Sequence, residues 1–90
     1  MKKYVIERDV PGIGSLGSAE LCGAAQTSNA ALAKLPNRVQ WQHSYVAGDK
    51  TFCVYLAEDE AAIHEHAKLS GFPATKITRI TGMIDPTTAG

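Results

Sequence analysis

Ninety residues suffice for one modest core, so residues 1–90 read as a single domain. Nine basic and nine acidic side chains cancel and lie scattered, leaving no basic stripe to neutralise the phosphates of a nucleic acid. No run approaches the roughly 20 apolar residues of a membrane helix, and MKKYVIERD lacks the apolar stretch of a signal peptide, so the expected location is cytoplasmic.

Lys2 to Asp9 alternates, with Tyr4 and Ile6 on one face and Val5 and Glu7 on the other, and predicts a strand. Pro11-Gly12-Ile13-Gly14 breaks it. Gly12, Gly14 and Gly17 match the G-x-G-x-x-G string of phosphate-cradling loops. A proline precedes that string and no acidic residue follows about 20 positions on, which favours a flexible connector. Ser18 is the expected N-cap of a first helix, with Glu20 in its first turn. Leu21, Ala25, Ser28, Leu32 and Leu35 recur at helical spacing and lay this helix on a sheet until Pro36 stops it. Cys22 and Cys53 lack CxxC spacing and read as free buried thiols.

Val39 to Ala57, VQWQHSYVAGDKTFCVYLA, is the strongest hairpin signal, turning at Gly48-Asp49. A two-residue turn there pairs residues whose numbers sum to 97, setting His43 opposite Val54 and Tyr45 opposite Phe52. In this favoured register Trp41, His43, Tyr45, Phe52, Val54 and Leu56 face the helices. Cys53, Ser44 and Tyr55 then turn to the opposite, partner-facing surface. A one-residue slip would put His43 opposite Cys53 on the other face.

Glu58-Asp59-Glu60 opens a second helix. Its apolar stripe is Ala62, Ile63, His66, Ala67 and Leu69, and Gly71 and Phe72-Pro73 end it. Lys76 to Ile84 predicts a last strand buried on both faces, with Ile77 and Met83 on one side and Ile80 and Ile84 on the other. The order β-α-β-β-α-β implies a ferredoxin-like α+β sandwich: a four-stranded antiparallel sheet with both helices on one face. The other face still carries apolar side chains. A second copy of the chain is its simplest cover, giving a homodimer through the sheet face, a dimeric α/β-barrel type assembly.

His64-Glu65-His66 is no metal motif on a helix, because residues two apart point about 200° from each other. His64 falls on the solvent side with Glu60 and Lys68. His66 faces the sheet, either as a core histidine bonded to a backbone carbonyl or as a site residue. Cys53 reads as an inert buried thiol ahead of a ligand. Imidazole with carboxylate or thiolate suits nickel or zinc. Trp41, Tyr45 and His43 could line a pocket between sheet and helices.

The strings YVIERDVPG, WQHSYVAGDKTFCVYLA, EHAKLSGFPATKI and IDPTTAG together resemble a family of small bacterial nickel-responsive proteins with a ferredoxin-like fold. The likeness runs across nearly the whole chain, and HSYVxxDKxxCVY and EHAxxxGFPA are its most specific segments. It implies a dimer of ferredoxin-like units and, for some members, binding of a nickel ion, and it implies no enzyme activity. His43, His66, Cys53 and Glu7 fall within matching segments and are the expected metal donors, on chemistry plus position. The expected function is therefore a cytoplasmic homodimer that binds a transition metal, nickel, without catalysis. The alternative is a cofactor-free oxygenase-like enzyme or small-molecule carrier, which resembles this architecture at the fold level alone.

Overall fold

The two long strands of the hairpin and the N-terminal strand form the body of the sheet, and everything else is placed against it. The computed structural model describes residues 1–90. In chain order it has β1 (Lys2–Asp9), a short 3-10 turn (Ile13–Ser15), α1 (Ser18–Leu32), β2 (Val39–Ala47), β3 (Lys50–Ala57), α2 (Glu60–Ser70) and β4 (Lys76–Ile80). A second 3-10 turn, Pro86–Ala89, closes the chain. The sheet order is β2-β3-β1-β4 with every pair antiparallel. This is the expected ferredoxin-like α+β arrangement. No helix is long and apolar enough to cross a membrane.

The core sits between the sheet and the helices. Tyr4 and Ile6 from β1, Leu35 after α1, Val39 from β2, Cys53, Tyr55 and Ala57 from β3, and Ala62 and Ile63 from α2 form it. Asp59 caps α2 by accepting from the Ala62 amide at 2.9 Å, and Gly71 ends it at φ 79°, a left-handed conformation that glycine takes without strain. Ala62, Ile63 and His66 are buried as the stripe predicts, but Leu69 is 41% exposed, so the stripe ends one turn early. The N-cap of α1 is Gly17, not Ser18, and this cap makes no side-chain bond. Of the residues predicted to anchor α1, Ser28 and, beyond the helix end, Leu35 are buried, while Leu21, Ala25 and Leu32 are half-buried. Cys22 is exposed on α1, against expectation, while Cys53 is buried.

Two segments depart from the sequence reading. The glycine-rich connector is fastened to the hairpin turn. Val10 and Gly14 donate their amides to the Asp49 and Gly48 carbonyls at 2.8 and 2.7 Å, and the Gly12 amide donates to Asp49 Oδ1 at 2.8 Å. A Cβ at Gly14 would lie 2.5 Å from the Gly48 carbonyl oxygen, so the glycine is there for close backbone approach. The last strand stops at Ile80 instead of Ile84. Its antiparallel partner β1 begins at Lys2, and the Lys3–Ile80 pair already lies at that end, so residues beyond Ile80 have almost no backbone left to bond. Met83 and Ile84 are therefore 84% and 83% exposed, and β4 is not buried on both faces.

Candidate functional site

The predicted hairpin register holds at its centre: His43 pairs with Val54 and Tyr45 with Phe52. The faces are nevertheless the reverse of the expectation. Cross-strand pairing of Tyr4 with Tyr55 and Ile6 with Cys53 commits Cys53 and Tyr55 to the helix side, where both are buried. Phe52, Val54 and Leu56 are left half-buried on the face without helices, with His43 and Tyr45 exposed beside them. Both parities of β3 are apolar, so periodicity alone had no means of choosing between them. Trp41 departs from its neighbours because a bulge between Trp41 and His43 shifts the register by one residue. It turns to the helix side, where its Nε1 donates to Ser44 Oγ at 2.9 Å.

The four expected donors are consequently divided. On the open face, His43 stacks edge-on against Tyr45, with ring centroids 5.1 Å apart at 78°. Glu7, on the same face, has its Oε1 3.9 Å from Lys50 Nζ, a cation shared with Asp9 at 3.6 Å. On the helix side, the Cys53 thiol donates to Thr51 Oγ1 at 3.4 Å. His66 is 1% exposed, with Nε2 3.2 Å from Ser28 Oγ and its ring 5.2 Å from that of Tyr55. The Ser28 hydroxyl is thus its side-chain partner in the core. Burial, reinforced by the nearby positive charge of Arg8, lowers the His66 pKa below 6.5, and a hydrogen bond with the Ser28 backbone opposes this. The neutral imidazole is therefore the favoured form, and its Nδ1 has no partner. No three His, Cys, Asp or Glu side chains of one chain come together to hold a metal ion. A single copy does not fit nickel as a self-contained site.

What the sequence reading overlooked is Arg8. It continues the Tyr4–Ile6 parity inward and is 3% exposed. Nη1 donates to the carbonyls of Phe72 and Pro73 at 3.2 and 3.0 Å, and Cζ lies 5.9 Å from the Tyr55 ring centroid. Nη2 has no partner. Arg8 borders a cavity of about 190 Å³ between α1 and the helix side of the hairpin, walled by Leu21, Ala25, Trp41, Val46 and Tyr55. Burial raises the Tyr55 pKa above 10.0, against the Ser28 hydrogen bond and the Arg8 charge, which act to lower it. The alternation Tyr4, Ile6, Arg8 was the signal that could have found this arginine.

Sheet order, paired helices and an uncovered apolar sheet face define a small ferredoxin-like α+β protein. A family model described as "Nickel responsive protein SCO4226-like" matches residues 4–80, and the chain belongs to that family. The crystal structure of SCO4226 from Streptomyces coelicolor A3(2) is similar at a TM-score of 0.74, covering 91% of this chain and 99% of that one. At 16% identity that likeness carries the fold. No curated protein matches the chain.

Proposed function

We propose that the protein is a nickel-binding homodimer, with the ion held by donors from two copies of the chain and His43 as the principal one. The observation that carries this reading is the position of His43: an exposed imidazole on the sheet face that no helix covers. Around it lie half-buried Val54 and Ile80 and, at 84% exposure, Met83. Apolar side chains of this kind favour a protein cover over water. Membership of a nickel-responsive family supports the choice of metal, and imidazole is a suitable nickel ligand.

The second copy is central to the proposal. One chain lacks a donor set, whereas a two-fold interface repeats every donor on this face. His66 is excluded by its burial and by the Ser28 bond at Nε2, and Cys53 by lying on the other side of the sheet. Because imidazole ligates only without its proton, uptake should weaken toward acid pH. Calorimetric titration of Ni²⁺ into untagged wild type and His43→Ala, with light scattering on both, tests the reading. Binding to the wild-type dimer and its loss in the variant are expected. Identical isotherms remove His43 from the site, and a wild-type monomer removes the shared site altogether.

A further inference from the structure

The geometry points to a second ligand site on the helix side of the sheet: the Arg8 cavity binds a small apolar monocarboxylate. Arginine keeps its charge in every protein environment, and a buried charge without a counter-ion is costly. None of the nine side-chain carboxylates bonds to Arg8. Glu58 and Glu65 pair with Arg38, and Glu7 and Asp9 with Lys50. Asp49, Asp59 and Asp85 accept from backbone amides. The two carbonyls that Arg8 bonds are neutral and both sit on Nη1, the neighbouring Tyr55 hydroxyl is neutral too, and Nη2 remains unpartnered while the residue is 3% exposed.

The cavity beside this cation is the wrong chemistry for a hydrated ion and the right one for an amphiphilic anion. Its walls are mostly apolar, and Ser28 and Tyr55 put hydroxyls along it. An apolar cavity of about 150 Å³ already holds benzene, so 190 Å³ admits a ring or short chain bearing one carboxylate. With one free guanidinium arm and at most one hydroxyl proton left over from the His66–Ser28–Tyr55 chain, the donor count suits a monoanion rather than phosphate, whose charge calls for a cluster of cations. The site is separate from the proposed nickel site, because His43 lies on the opposite face of the sheet.

Trp41, the single tryptophan, borders the cavity and provides the readout. Benzoate and hexanoate are titrated against the folded protein while Trp41 fluorescence and melting temperature are followed, with benzamide as the uncharged match in shape. Benzoate should saturate the fluorescence change and raise the melting temperature. Benzamide should bind roughly tenfold or more weakly, the contribution of a charge-assisted hydrogen bond. Arg8→Met should erase that preference. Since this substitution also removes the two bonds to the Phe72 and Pro73 carbonyls, Ala25→Leu carries the test independently: it fills the cavity, leaves Arg8 in place, and should abolish the benzoate response. Equal affinity for benzoate and benzamide, undiminished benzoate binding by Ala25→Leu, or no saturation by either acid at millimolar concentration would overturn the assignment, the last leaving water as the partner of Nη2.

Discussion

Replacing His66 by alanine separates a histidine that builds the core from one that waits for a metal. The ring is 1% exposed, packs 5.2 Å from Tyr55 and holds Ser28 Oγ at 3.2 Å. Truncating a large buried side chain to alanine costs about 3–5 kcal/mol through lost packing and the cavity left behind. Two features reduce that figure here. The native ring already carries an unpartnered Nδ1, whose removal returns about 1 kcal/mol or more. Ser28 also keeps a second neighbour, the Tyr55 hydroxyl at 3.5 Å. A net loss of about 2–3 kcal/mol is expected, which in a domain of this size lowers the melting temperature by roughly 8–24 °C. His66→Leu, which refills the volume without a polar atom, should cost less than alanine. His64→Ala, on the exposed face of the same helix, should be nearly neutral. Thermal unfolding followed by circular dichroism, without added metal, gives all three values. Equal losses for His66→Ala and His64→Ala would refute the argument.

Other consequences can be measured alongside. The folded-state pKa of His66 lies below 6.5, so the fold favours the neutral form and the unfolded chain takes up the proton more readily. Its contribution is complete above about pH 6.5 and lost as pH falls below that value. The wild type should melt lower at pH 5.5 than at pH 7.5 by an increment that shrinks in His66→Leu; an unchanged increment would mean the imidazole is not the group responsible. Gly14→Ala drives a methyl into the Gly48 carbonyl oxygen and should cost about 1–3 kcal/mol in urea unfolding, and a neutral result would show that the connector can move off the hairpin turn. Val54→Glu puts a charge on the half-buried open face and should yield monomers by light scattering with helix content retained. A dimer that survives this change does not use that face.

The order of elements was legible in the sequence because each is specified locally. Alternation defines β1, the Gly48-Asp49 pair turns the hairpin, and Asp59 and Gly71 bracket α2. The phase of α2, with His66 inward and His64 outward, also follows from spacing, since helical geometry leaves no choice once Ala62 and Ile63 face the core. What spacing could not decide was which side of the hairpin the helices would cover. Phe52, Val54 and Leu56 compete with Cys53 and Tyr55 on nearly equal hydrophobic terms, and the outcome is set by pairing with β1, where Tyr4 and Ile6 already point at the helices. The bulge at β2 then sends Trp41 to one face and His43 to the other. These long-range pairings divide the expected donors between two faces and enclose Arg8 beside an apolar cavity. A single strand cannot specify such a juxtaposition, because it depends on what the neighbouring strands and helices bring to the same face.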